Sequence, residues 1–248
     1  MLQNKKGADI MKNANVFKRC EMKYLLSSEQ YEKIIKCIKE HTKEDEFGLS
    51  TIQSLYYDTQ NSLLIRRSIE SPTYKEKIRV RSYGLAKDDS QVFVELKKKY
   101  NNIVFKRRIK LTNNEAKSYM NNNQLEKPSQ IGVEIDYFKS YYNKLVPSML
   151  LIYNRIAYYS TEIEDLRITF DTNIKFRDYD LELDKGFYGK SILDENLYLM
   201  EIKTGTAMPL WLARLLSENL IYKTSFSKYG TAYKIVLNNK NMEVKKVG

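Results

Sequence analysis

Along most of this chain apolar and polar residues alternate one by one, the period of a strand with one wet and one dry face. The alternation predicts eight strands, at Glu21–Leu26, Ser54–Asp58, Lys75–Tyr83, Gln91–Lys99, Ile103–Leu111, Met149–Tyr159, Leu166–Arg177 and Leu197–Lys203. In the third, Lys75, Lys77, Arg79 and Arg81 share one face, and Ile78 and Val80 share the other. The split recurs. Glu95, Lys97 and Lys99 oppose Val92, Val94 and Leu96, and Lys106, Arg108 and Lys110 oppose Phe105 and Ile109. Arg167, Thr169, Asp171 and Asn173 oppose Ile168, Phe170 and Ile174. Glu201 and Lys203 oppose Met200 and Ile202, while Arg19, Glu21 and Lys23 oppose Met22 and Tyr24. Tyr100-Asn101-Asn102 reads as a hairpin turn, because asparagine tolerates positive φ.

Helices interrupt the strands at Ser27–His41, Asn113–Asn121, Val133–Leu145 and Pro209–Tyr222. The first opens on S-S-E-Q, which resembles a capping box, and the last opens on proline, whose missing N–H costs nothing there. Strands with occasional helices, rather than alternating βαβ units, predict an antiparallel sheet. Four helices are few to cover eight strands, so the expected closure is of the sheet on itself. Its polar face then becomes the wall of a tunnel wide enough for one slim ligand. The expected fold class is therefore α+β: an eight-stranded antiparallel β-barrel over residues 16–237 with flanking helices. Residues 1–15 read as a disordered leader and 238–248 as a basic tail.

Charge sharpens this picture. The chain of 248 residues carries a formal charge of +11, which predicts an anionic partner: nucleic acid, a phosphorylated small molecule or an anionic membrane. Twelve of the basic residues lie between 75 and 110 against only four acids there, so the excess sits on the predicted wall. Like charges along one face need water or a bound polyanion to offset their repulsion. With one histidine and two cysteines, any metal must rest on oxygen ligands, as Mg²⁺ or Mn²⁺ does. No apolar run reaches the ~20 residues of a spanning helix, and the first residues lack a secretory h-region, so the expected localisation is cytoplasmic. A membrane-protein partner stays open.

Eight segments occur in a telling order: F-K-R-x-E-x-K-Y from Phe17, S-L-Y-Y-D-T from Ser54, Y-K-x-K-x-R-x-R-S-Y from Tyr74, V-F-V-E-L-K-K-K from Val92, V-x-K-R-R from Val104, R-I-T-x-D from Arg167, M-E-I-K from Met200 and S-K-Y from Ser227. The set resembles the VTC domain of polyphosphate polymerases, within the triphosphate tunnel metalloenzyme superfamily, over Phe17 to Tyr233. The resemblance implies an eight-stranded tunnel and metal-dependent transfer of the γ-phosphate of ATP onto a growing polyphosphate chain. Other branches hydrolyse triphosphates, and a non-catalytic polyphosphate-binding module is a further alternative. The superfamily's E-x-E-x-K signature stands here as Arg19-Cys20-Glu21-Met22-Lys23, with arginine in place of the first acid.

On this reading Arg79, Arg81, Lys97 and Arg155 act on the reacting phosphates. Lys23, Lys77, Lys106, Arg108, Arg167 and Lys228 hold the rest of the substrate, ATP and polyphosphate or inorganic phosphate, with Lys228 at the tunnel mouth. Arginine offers a bidentate fork and lysine a mobile point charge. Glu201 is the first candidate ligand for Mn²⁺ or Mg²⁺, followed by Glu21 and Glu95. Nucleic acid is not expected as a partner, since no aromatic platform is legible. The stripe Trp211, Leu212, Leu215 and Leu216 reads as core packing, His41 as solvated, Cys20 as a small buried hydrophobe, and Lys98 as facing away from the tunnel.

Overall fold

The computed structural model describes residues 20–247, apart from 71–72, 102, 122, 126, 128 and 206. The leader and Arg19 lie outside the described residues. The strands are β1 (Cys20–Ser27), β2 (Thr42–Glu44), β3 (Ser50–Asp58), β4 (Tyr74–Tyr83), β5 (Gln91–Tyr100), β6 (Ile103–Thr112), β7 (Val146–Ser160), β8 (Arg167–Arg177), β9 (Lys190–Ser191), β10 (Leu197–Thr204) and β11 (Lys223–Thr224). The helices are α1 (Ser28–Ile38), α2 (Leu63–Glu70), α3 (Asn113–Met120), α4 (Gln130–Tyr141), α5 (Leu210–Glu218) and α6 (Lys228–Val247).

All strand pairs are antiparallel, in the order β11-β1-β10-β8-β7-β3-β4-β5-β6, with β2 on β7 and β9 on β8. The expected closed eight-stranded barrel is thus corrected. The ladder has eleven strands among the described residues, and no backbone pairing joins β6 to β1 or β11. The two ends of the sheet nevertheless meet through side chains. Glu21 on β1 accepts from Lys97 Nζ on β5 at 3.1 Å and from Lys106 Nζ on β6 at 3.3 Å. The sheet curls into a tunnel whose seam is held by ion pairs.

The outer, apolar face is covered in two patches. Val92, Val94 and Leu96 pack under Tyr119 of α3 and Ile135 and Phe138 of α4. Tyr24, Ile168, Phe170, Met200 and Ile202 pack under Ile34 and Ile38 of α1 and Leu212, Leu215 and Leu216 of α5. Trp211 joins this patch as expected, and His41, read as solvated, stacks on it at 4.2 Å. Cys20, the first residue of its strand, is exposed rather than buried.

Local chemistry sets the element ends. Ser27 and Gln30 form the capping box of α1, and Asn101 turns the β5–β6 hairpin at φ 44°. Two helices escape the sequence pattern. α2 is capped by the buried Asp58, whose carboxylate accepts from Leu64 N at 2.8 Å and Ile65 N at 2.9 Å. The cap precedes the helix by five residues, so no short N-cap motif announces it. Residues 238–247, read as a tail, continue α6.

The inner face changes character at one point. A bulge between β7 and β8 holds Asn173 at φ 53° and exposes it, so it does not share the face of Arg167, Thr169 and Asp171. One extra residue flips the alternation. Ile174 and Phe176 therefore turn inward, against Phe226 and against Tyr229 and Ala232 of α6. The tunnel is polar on one side of the bulge and filled with an apolar plug on the other.

Asp58 ties the plug to the wall, since it also accepts from the hydroxyl of Tyr229 at 3.1 Å. Asp58→Ala removes the α2 cap and one of the two partners of the Tyr229 hydroxyl, which keeps Ser148 Oγ at 3.1 Å, so about 1–3 kcal/mol of stability should be lost. A denaturant titration giving less than about 1 kcal/mol would show that Asp58 does not anchor these elements.

Candidate functional site

Cross-strand register stacks the inward residues of β4, β5 and β6 into rungs. In order they are Arg81–Phe93–Lys110, Arg79–Glu95–Arg108, Lys77–Lys97–Lys106 and Lys75–Lys99–Val104. On the facing wall Glu21 pairs with Lys203, Lys23 with Glu201, and Arg155 with Asp171. Each sits inward because its apolar chain neighbours fill the outer core.

Four buried or half-buried carboxylates hold these cations in place. Glu95 meets Arg79 at 2.7 Å, Arg108 at 2.7 Å and Arg81 at 3.6 Å. Asp171, fully buried, takes Arg155 bidentately at 2.6 and 2.7 Å and also accepts from Lys228. Glu21 takes Lys97 and Lys106, and Glu201 takes Lys203 at 3.0 Å. Tyrosine hydroxyls complete the lining. Tyr56 accepts from Arg79 at 2.9 Å and Tyr153 from Arg81 at 3.5 Å.

The electrostatics follow from burial set against pairing. Burial pushes Glu95 up, but Arg79, Arg81 and Arg108 outweigh it and hold the carboxyl at about 2. Asp171 is held at about 2 against burial by Arg155 and Lys228. Burial raises Glu21, Lys97 lowers it and Glu201 raises it again; with Lys203 and Lys106 added it settles at about 2. Glu201 is held well below the carboxylate range by Lys203, Lys23, Arg155 and Lys228, against its burial. Lys77 goes the other way. Burial first, then Lys23, Lys97, Lys75 and Arg79, bring it down to about 7.

The structure brings together Lys23, Lys77, Arg79, Arg81, Lys97, Lys106, Arg108, Arg155 and Lys228 with Glu21, Glu95 and Glu201. Lys228 lies deeper than the mouth, with Nζ 4.6 Å from the Tyr153 ring centroid. Arg167 is set apart: it lies half-exposed and pairs with Asp45 at 3.2 Å. Glu95 is enclosed by three guanidinium groups and Glu21 has both oxygens on lysines, while among the described residues Glu201 has an ion pair on one oxygen only, which leaves Glu201 the best placed of the three to take a metal. Lys98 meets Glu76 at 3.6 Å on the outer face, away from the tunnel. Asp171, Tyr56 and Tyr153 belong to the site without having been singled out. Their signal was present, since each alternates with inward residues: Asp171 with Thr169, Tyr56 with Ser54, Tyr153 with Arg155.

Two features of the lining suit a polar, anionic ligand. Ser54 Oγ, Arg81 Nε and Thr169 Oγ1 are buried without a hydrogen bond, and such groups ordinarily have a partner, whether protein or bound. Lys75 and Lys99 face each other with no carboxylate paired to either among the described residues. For a metal, Glu21 and Glu201 are coupled neighbours, with Thr169 opposite Glu201 on the next strand. No group of three His, Cys, Asp or Glu occurs among the described residues. This sparse oxygen set fits Mg²⁺ or Mn²⁺, which keep waters and substrate phosphates as most of their ligands.

A family model described as the VTC domain matches residues 18–237. The chain belongs to the VTC-domain family. Among solved structures, a candidate adenylate cyclase from Bacillus halodurans is similar at 14% identity and TM-score 0.51, over 84% of this chain and 92% of that one. A candidate adenylate cyclase from Vibrio parahaemolyticus follows at 13% identity and TM-score 0.48, over 87% of this chain and 97% of that one. At 14% identity the likeness to the Bacillus protein is one of fold alone. Among curated proteins no sequence matches this VTC-domain chain. No helix among the described residues is long and apolar enough to cross a membrane.

The carboxylates generate a prediction for the empty VTC-domain protein. Glu21, Glu95 and Asp171 titrate lower folded than unfolded. Their contribution is present above about pH 4.5 and disappears as pH falls towards about 2. Thermal melts should show stability dropping steeply across that window. A flat profile would mean that the ion pairs do not hold the wall.

Proposed function

We propose that this protein is a metal-dependent polyphosphate polymerase that moves the γ-phosphate of ATP onto the end of a polyphosphate chain. The observation that carries this reading is the stack of inward basic rungs, from Arg81 to Lys75. It continues past the plug along the β4–β5 wall, whereas β8 turns apolar beyond Asp171. A triphosphate needs only part of that length; a polymer uses all of it.

The chain's residues supply position and charge. Arg79, Arg81, Arg108 and Arg155 present guanidinium forks to non-bridging oxygens, and Lys23, Lys97, Lys106 and Lys228 add mobile charges. Their carboxylate partners keep the side chains extended and exchange them for phosphate as it enters, so little reorganisation is needed. Glu201 and Glu21 would hold a divalent ion, which would neutralise charge on the transferring phosphoryl group. A terminal oxygen of the acceptor chain attacks the γ-phosphorus, the bond to the β-phosphate oxygen breaks, and ADP leaves. Positioning of the two chains in line is the catalytic work, and no protein nucleophile is needed.

One observation favours a second reading, a tripolyphosphatase or nucleoside triphosphatase. The plug of Ile174, Phe176, Phe226 and Tyr229 blocks part of the cross-section, and a blocked tunnel leaves water as acceptor. Incubation with ATP and Mn²⁺ decides between them. The polymerase yields ADP and polyphosphate visible on a toluidine-blue gel. Stoichiometric free phosphate without polymer would establish the hydrolase. Arg79→Ala and Arg81→Ala should each cost at least ~10²-fold in rate, as losing a charge-stabilising donor does. Glu201→Gln should abolish turnover while leaving tripolyphosphate able to raise the melting temperature. Full activity of Glu201→Gln, or of the native protein in excess EDTA, would remove the metal from the account.

A further inference from the structure

Most tunnel cations have a carboxylate within ion-pair distance; Lys77 has none among the described residues. Its ammonium has one long hydrogen bond, 3.5 Å to Ser227 Oγ, and lies 5.8 Å from the ring centroid of Tyr229. The charged groups that act on it are cations on every side: Lys23 from β1, Lys97 from β5, and Lys75 and Arg79 from its own strand. Asp58, which meets the same Tyr229 through the hydroxyl, is committed to the amides of α2. Ser227 also receives the Gly230 amide of α6. A charged lysine here would be a half-buried cation among cations, with no carboxylate in ion-pair distance to balance it.

We propose that Lys77 is a proton-exchanging group of the tunnel: only partly charged near neutral pH when no anion is bound, it takes up a proton as a phosphate oxygen reaches it. The inference rests on the reading of the tunnel as a phosphate-chain site. Its ordinary value is brought to about 7 in the empty protein, and an anion beside it reverses the shift. Between those two values the bound state carries one proton more than the free state, so binding strengthens as pH falls. Neutral pH then places Lys77 where a small change in acidity alters the charge facing the chain. The neighbouring arginines have no such response, since guanidinium stays protonated.

The test is calorimetric titration of tripolyphosphate at about pH 8 in Tris and in HEPES, whose ionisation heats differ, comparing native protein with Lys77→Arg. The arginine keeps the charge and cannot exchange the proton, and the ligand's own protons cancel in the comparison. The native protein should take up about one proton more than the variant, and its affinity should gain up to ~tenfold per pH unit relative to the variant as pH falls from about 9 to about 7. Equal proton uptake by the two proteins overturns the proposal and leaves the phosphate site standing. Absence of binding in every buffer overturns the phosphate site and the proposal together. Should Lys77→Arg not fold, Lys77→Met takes its place with sulfate, which has no proton to exchange in this range: buffer-dependent heat that is larger in the native protein than in the variant supports the exchange by Lys77, and equal buffer dependence in the two refutes it.

Discussion

Charge balance inside the curled sheet is the constraint on which the rest of this structure depends. Inward arginines and lysines from β1, β4, β5, β6, β7 and α6 face one another across a narrow space. Without Glu21, Glu95, Asp171 and Glu201 they could not share it. These four carboxylates tie the cations down, and one of them, Glu21, holds the seam between β1 and β6 that no backbone pair closes. Paired, they cost little; unpaired, each would be a buried charge of the kind folded proteins avoid. On the proposed reading these carboxylates hold the places that phosphate oxygens would take, and the site is preformed because most of its charges already have partners.

The second constraint is register. A strand with period two has one inward face, and a one-residue bulge exchanges the faces. At Asn173 that exchange converts a polar wall into an apolar one and gives α6 a surface to pack against. The polar site and the plug are consequently products of the same strand. Their boundary is set by one residue in the left-handed region, a conformation that asparagine adopts more readily than most.

Much of this was legible in the sequence because alternation reports on each strand alone. The rungs of β4, β5 and β6, the apolar outer faces, the capping box of α1 and the helix α3 are local facts, written within a few residues. What was not legible depends on partners distant in the chain. Alternation carries no notice of a bulge, so Asn173 was assigned to the wrong face. Asp58 caps α2 from five residues away. Arg167 has the right face but pairs with Asp45 from the β2–β3 connection, which draws it away from the cluster. Closure was inferred from a shortage of helices, yet α1, α3, α4 and α5 cover the outer face, and the seam is bridged by side chains rather than by a ladder.

The central claim is that phosphate oxygens replace carboxylates among the tunnel cations. A crystal structure with tripolyphosphate and Mn²⁺ tests it most directly, because both the anion and, by anomalous scattering, the metal can be located. The account predicts the chain along the β4–β6 wall, between Arg79, Arg81 and Lys97 on one side and Arg155 and Lys228 on the other, with Mn²⁺ at Glu201. Tripolyphosphate confined to the outer surface, with the pairs Arg79–Glu95 and Arg155–Asp171 untouched and no metal at Glu201, would contradict it.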